Sequence, residues 1–213
     1  DWGEEDTSFI HDEITTDKRH PQINANGALY GVAITEGKLL ITDPDKHLSS
    51  VLRVPMLEKQ QDASSDINGA NNHNPMMDNK GRVWMTSSVR KEAQNPGWCE
   101  SDSKHSSVKY FPLSHSKRQA SYYDPATKQF ELIDTCYSTH HLQFASDADD
   151  TLWFSGDNQV IGWLNTKILD DTGNKQVSQG WCPTVLDSNG DGKISKPWNE
   201  PGQEVKSGLD TRI

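Results

Sequence analysis

Apolar residues in this chain fall in short runs with a two-residue period, each closed by a turn-forming group, and that pattern predicts strands. Two stretches can be laid over each other: HNPMMDNKGRVWMTS, residues 73–87, and HLQFASDADDTLWFS, residues 141–155. Each reads histidine, apolar strand, acidic turn, then a strand of apolar-Trp-apolar-small character. The spacing is 11 residues from His73 to Trp84 and 12 from His141 to Trp153, so one residue in the turn accounts for the offset. A weaker third copy runs from Ala28 to Thr42 and turns at Glu36-Gly37. The segments Thr42 to Val54 and Tyr123 to Ile133 also match, each with an Asp-Pro pair that starts a tight turn before a β-rich run. No sustained helical stripe is present, and Ile161 to Asp171 is the one ambiguous run.

Two hairpins per repeat make a four-stranded unit. Once a polar insertion over 91–117 is set aside, the Trp84 to Trp153 interval approaches the roughly 40 to 50 residues of a propeller blade. The expected fold class is therefore all-β: a β-propeller, incomplete in this chain, with about three blades and extra hairpins in a single domain over 1–213. A closed ring takes at least about four blades, so open edges are expected. The expected partners are the remaining blades of the same protein or a companion chain.

Composition sharpens this picture. Only 32% of the 213 residues are hydrophobic, against roughly 45% for a typical domain, so the chain is expected to be rich in loops. Seven tryptophans supply large rings for a β core that has few aliphatics. The net charge of -10 is spread along the chain, which leaves no basic stripe for phosphates and excludes nucleic acid as a partner. No run approaches the roughly 18 apolar residues of a membrane span. The opening Asp1-Trp2-Gly3-Glu4-Glu5 does not read as a targeting peptide, so a soluble piece is expected, either mature or excised from something longer. Of the three cysteines, one must be unpaired. Two readings stay open: three free thiols, or a Cys99–Cys136 disulfide tying the insertion to the body with Cys182 free.

Two groups of residues carry candidate chemistry. In DSNGDGKI, Asp187, Asn189 and Asp191 supply side-chain oxygens at positions 1, 3 and 5 of a calcium loop, a glycine stands sixth, and Lys193 offers its carbonyl seventh. The twelfth position is Trp198, so the bidentate glutamate is missing; Glu200 and Glu204 are the acids expected to replace it in a structural calcium-loop-like segment over 187–204. The competing reading is a plain Asn-Gly turn. The second group is His73, His140 and His141, because the first strand of each blade lines a propeller's channel. Neutral imidazoles there suit a divalent or transition metal, and a lone one suits a general base. Of the adjacent pair one is expected to face inward, with the repeat favouring His141, since neighbours on a strand point to opposite faces. Against this stands the reading that each histidine satisfies a strand-end carbonyl. His11 is either a further channel residue or a surface one, Met76 and Met77 are soft-ligand candidates more often found in cores, and His20, His47, His105 and His115 sit in polar loops. Hydrolase elbow, phosphate-loop, dinucleotide and zinc-protease motifs are missing from the sequence.

The motifs DWG, HDEITTDKRHP, NANGALYG, HNPMMDNKGRVW, YDPATKQFELIDTC, THHLQFASDADDTLWFSG, GWLNTK and SQGW followed by LDSNGDGK, spread over nearly the whole chain, resemble a group of large secreted bacterial proteins. Their propellers are similar to streptogramin (virginiamycin B) lyase-like and NHL-type propellers, often with a carboxypeptidase-regulatory-like domain. The resemblance implies a secreted or periplasmic location. Streptogramin lyases open a lactone ester by elimination with a divalent metal and a histidine base, which makes His141 the candidate base, and the repeat reading adds His73 as ligand or base. The functional expectation is a metal-dependent lyase or oxidative enzyme acting on a small organic substrate. The rivals are a non-catalytic propeller that binds a small ligand, a polysaccharide or a protein, and a structural subunit of an extracellular assembly.

Overall fold

The computed structural model describes residues 10–57, 69–92, 94–100, 103–156 and 160–213, so the opening Asp1-Trp2-Gly3 motif lies outside it. Within these residues the chain runs through three consecutive four-stranded antiparallel meanders. The first comprises β1 (Asp12–Ile14), β2 (Leu29–Ala33), β3 (Lys38–Asp43) and β4 (Leu48–Arg53); the second β5 (His73–Met77), β6 (Val83–Ser87), β7 (Gln119–Asp124) and β8 (Gln129–Ile133). The third comprises β9 (Leu142–Phe144), β10 (Thr151–Ser155), β11 (Val160–Asn165) and β12 (Gln179–Pro183), and a hairpin of β13 (Val185–Leu186) and β14 (Thr211–Arg212) follows. The all-β expectation and the four-stranded units are thus present. Both Asp-Pro pairs make the turns expected of them: Asp43 Oδ1 accepts the Lys46 N–H at 3.1 Å and Asp124 Oδ1 the Ala126 N–H at 2.9 Å. Each turn then closes through a residue at positive φ, His47 and Lys128 respectively.

The second sheet is the middle slab, buried on both faces. Along β5, β6 and β7 the alternation sends Met77, Val83, Met85 and Tyr123 to one side, where they pack with Ile14, Tyr30, Val32 and Leu39 of the first sheet. It sends Met76, Trp84, Ala120 and Tyr122 to the other side, against Leu142, Phe144, Leu152 and Phe154 of the third. Met76 and Met77 are therefore core residues rather than metal ligands. The third sheet has only one face covered: Gln143, Trp153, Ser155, Ile161 and Cys182 of its opposite face are exposed.

The weaker third repeat copy is out of phase with the other two. Ala28 to Thr42 forms the second and third strands of its sheet, whereas the other copies begin on first strands. The first strand here is β1, led by His11 and separated from β2 by a long turn-rich loop. The ambiguous run splits in two: β11 ends at Asn165, whose Oδ1 accepts the Ile168 N–H at 2.8 Å and caps the short helix α1 (Thr166–Thr172). No helix among the described residues is long and apolar enough to cross a membrane.

The insertion between β6 and β7 is polar in sequence, yet it buries Cys99, Val108 and Leu113 in the core shared with the third sheet. Ser107 Oγ accepts the Trp181 N–H at 2.9 Å, and Trp181 Nε1 donates to the Phe111 carbonyl at 2.6 Å, so the insertion lies along β12. Cys99 and Cys136 form a disulfide and Cys182 is free, which settles the two cysteine readings in favour of the bridge.

Arginines, one buried and one half-buried, tie the sheets together. Arg82 donates from Nε to Asp78 at 2.6 Å and grips Asp170 of α1 through both terminal nitrogens, at 2.6 and 3.1 Å, joining the second sheet to the third. Arg19 pairs with Asp17 at 2.9 Å and with Asp150, joining the loop after β1 to the turn after β9. Burial raises the Asp17 and Asp170 carboxyls, but hydrogen bonds and charge from Arg19, and from Arg82 and Lys80, outweigh it and hold both below the ordinary carboxylate range. A carboxyl with a depressed folded-state pKa stabilises above its unfolded value and loses that contribution as pH falls through the folded one. Unfolding by urea should therefore show a plateau near neutral pH and a decline below about pH 4. In Asp170→Asn the plateau should drop and the decline become shallower; an unchanged acid slope would show that this pair is not linked to folding. Removing the disulfide in Cys99→Ala/Cys136→Ala, with a separation of 37 residues, should cost about 4 kcal/mol in the same assay.

Candidate metal centre

Three first strands meet at one place, because β5 packs beside β1 and β2 on one side and β9 on the other. The start of β5 is irregular for a local reason. Asn74 has φ +49° and Pro75 offers no N–H, so His73 pairs with Thr86 while Met76 already pairs with Trp84. This one-residue bulge sets the direction of His73, which is only 6% exposed. Asn74 Oδ1 accepts the Leu142 N–H at 2.7 Å, fastening the bulge to β9. Thr86 Oγ1 lies 3.2 Å from the His73 carbonyl and 3.0 Å from the His140 carbonyl, so one hydroxyl pins both backbones. His140 donates its N–H to the Ser155 carbonyl at 2.8 Å, and the Ser155 N–H returns to the His141 carbonyl at 3.1 Å. The histidine pair is thereby held at the end of β10, just before β9 begins.

These restraints gather the side chains. His73, His140 and His141 each offer a ring nitrogen such that all three lie within 4.8 Å of one another, and His11, Asp12 and His73 form a second such group that shares His73. The His73 ring stands 4.7 Å from that of His11, 5.0 Å from His140 and 5.1 Å from His141. Asp12 Oδ2 is 2.8 Å from His73 Nδ1 and 2.9 Å from His11 Nδ1. The Asn74 N–H also reaches His73 Nδ1, at 2.9 Å.

Burial lowers the His73 pKa and outweighs the opposing charge of Asp12; Arg118, His11 and His140 push the same way. The ring is therefore neutral at physiological pH, the form that coordinates metal. For Asp12, burial raises the carboxyl, but the His11 hydrogen bond and the charges of His11 and His73 outweigh it and leave the carboxylate ionised. In the tautomer with its proton on Nδ1, His73 donates to Asp12 and keeps Nε2 as its ligand atom, whereas the Asn74 N–H at the same nitrogen is accepted only in the other tautomer.

Next to the cluster lies an open, mainly apolar depression of about 570 Å³. His141 and Asn74 form one wall, and Gln143, Trp153, Ser155 and Ile161 of the third sheet's uncovered face form the rest. His141 belongs to both features, facing the histidines on one side and the depression on the other.

The expected pair His73 and His141 is brought together, and His140 joins them. The expectation that one of the adjacent pair would face inward fails because both precede β9, outside the strand alternation on which it depends. His11 stands beside His73 in the second group and is exposed to solvent, as its surface reading has it. Asp12 was missed; its signal was its place beside His11 at the head of an alternating run. His105 does structural work, stacked on Trp181 at 4.8 Å and within 3.0 Å of the Gln179 carbonyl. Asp187, Asn189, Asp191 and Lys193 lie apart from this cluster, in the loop after β13. There Asp187 accepts the N–H groups of Gly190 at 2.8 Å, Asp191 at 3.1 Å and Gly192 at 2.8 Å. Glu200 does not replace the missing loop acid: Arg212 Nε reaches it at 2.7 Å and Trp198 Nε1 at 2.8 Å.

Asn74 unites the left-handed backbone, the bulge and the tie to β9, so its replacement is informative. Asn74→Ala should destabilise by about 2 kcal/mol in urea unfolding, and Asn74→Gly, which relieves the backbone and loses only the bond to Leu142, by about 1 kcal/mol. Equal losses in the two variants would show that the backbone conformation carries no cost. No known protein family, curated protein or solved structure matches this chain, so its chemistry is carried by the geometry itself.

Proposed function

We propose that His73, His140 and His141, with His11 and Asp12 beside them, bind a first-row transition metal or zinc in the channel of an incomplete β-propeller. In this reading the centre acts on a small organic substrate seated in the adjoining depression. The observation that carries the reading is the mutual approach of one ring nitrogen from each of three imidazoles to within 4.8 Å, from the start of β5 and the residues just before β9, on backbones locked by Thr86 and Asn74. A set of neutral nitrogen donors suits zinc, copper, iron or nickel better than magnesium or calcium. Bound to three imidazoles, such a metal keeps open positions and supplies Lewis-acid polarisation of a carbonyl oxygen or a water of lowered pKa.

The chain's own residues do the remainder. Asp12 orients His73, the apolar wall of Trp153 and Ile161 strips water from one face of a ligand, and Gln143 and Ser155 offer polar contacts to it. His141, whose coordinating nitrogen leaves it no lone pair for a proton, turns the metal's open positions toward the depression. The resemblance to the streptogramin lyases implies elimination, and lyase chemistry is the reaction class we assign.

Three four-stranded meanders with adjoining first strands support the propeller, and the disulfide supports an oxidising, secreted or periplasmic setting. The uncovered face of the third sheet fits further blades, from this protein or a companion chain. A non-catalytic binding module is the second reading, and the exposure of Trp153 at the mouth of the depression favours it.

Elemental analysis of natively purified protein should find close to one transition-metal ion per chain. In His73→Ala and His141→Ala that metal should fall at least tenfold, and Asp12→Asn should weaken affinity by about 10- to 100-fold without unfolding the chain. Ligand binding that persists unchanged in a metal-free protein would favour the binding module and overturn the enzyme reading.

A further inference from the structure

A second cation site, independent of the histidines, follows from one carboxylate oxygen. Asp210 is 1% exposed and its Oδ1 is buried with no hydrogen-bond partner. Buried polar atoms are almost always paired, and a carboxyl oxygen left alone calls for an ion or ordered water. The other oxygen, Oδ2, accepts the N–H of Ser195 at 3.2 Å. Ser195 is the ninth residue of the loop that starts at Asp187.

The surrounding backbone places Asp210 against that loop. Asn189 Nδ2 donates to the Gly208 carbonyl at 3.3 Å, and Ser188 Oγ to the Leu209 carbonyl at 3.1 Å. The loop has oxygen donors at Asp187, Asn189 and Asp191, a glycine at φ +76° in sixth place, and the Lys193 carbonyl in seventh. What it lacks is an acid at its twelfth position, where Trp198 stands, and Glu200 is already engaged by Arg212 and Trp198.

We propose that Asp210, reaching in from 15 residues beyond Ser195, is the missing carboxylate, and that it and the 187–195 loop together bind one calcium ion. The oxygen-only donor set, with three carboxylates, suits a hard cation, and a flexible loop closed by a distant residue suits calcium better than the strict octahedron of magnesium. Binding links the loop after β13 to the residue just before β14, so the ion fastens the base of the connecting loop beside the Leu186–Thr211 pair.

The test titrates calcium chloride into the full, calcium-depleted chain by calorimetry, with magnesium chloride as control, and follows amide hydrogen exchange with and without calcium. One calcium per chain is expected, with slowed exchange in both 187–195 and 208–212. Asp210→Asn should lower the affinity at least tenfold, and Glu204→Gln should leave it unchanged. Protection confined to 187–195, full affinity in Asp210→Asn, or no calcium binding would each overturn the assignment. Should Asp210→Asn fail to fold, the exchange pattern of the unaltered chain decides alone. Loss of the histidine metal has no bearing on these readouts, so the two sites fail separately.

Discussion

The approach of β5 to β1 on one side and to β9 on the other is the contact on which the rest of the structure depends. It requires a middle sheet that is apolar on both faces, and the sequence meets this by giving β6 five consecutive buried residues, with Val83 and Met85 facing one core and Trp84 the other. A polar cluster then becomes affordable at the strand starts, because hydroxyl and amide groups absorb the stray backbone. Thr86 answers two carbonyls and Asn74 answers the Leu142 N–H. The histidines stand at a seam between sheets whose position the packing has already fixed.

Charge works in the same direction. The chain is acidic throughout, which favours cations near it, yet several of its carboxylates are spent on arginines: Asp78 and Asp170 on Arg82, Asp17 and Asp150 on Arg19, Asp134 on Arg90. The carboxylates at the two proposed cation places stand outside this scheme. Asp12 faces histidines, where it orients rather than neutralises, and Asp210 keeps one oxygen without a partner. Both places proposed for cations thus hold carboxylates that no arginine answers.

Much of the fold was legible because strand alternation and turn chemistry are local. The Asp43-Pro44 and Asp124-Pro125 turns and the four-stranded units followed from nearest neighbours in sequence. His73 and His141 were legible because the repeat put them in equivalent places. His140 ranked behind His141 by an alternation rule that does not hold before β9, and Asp12 is hidden because the first repeat, with its short β1 and long loop, aligns one strand out of phase. Asp210 leaves no sequence signal at all: its relation to the 187–195 loop exists only after β13 pairs with β14. The apolar content of the 91–117 insertion was masked by its polar majority, and its burial depends on β12 lying beneath it.

The central claim is that three imidazoles, from the start of β5 and the residues just before β9, share one metal ion. X-ray absorption at the metal edge of natively purified protein measures this directly, through the multiple scattering that imidazole rings produce. The account predicts a nitrogen-rich shell near 2.0–2.1 Å if the ion is zinc, with three or more imidazoles per metal. A shell of oxygen atoms only, or a protein that carries no transition metal, would contradict it.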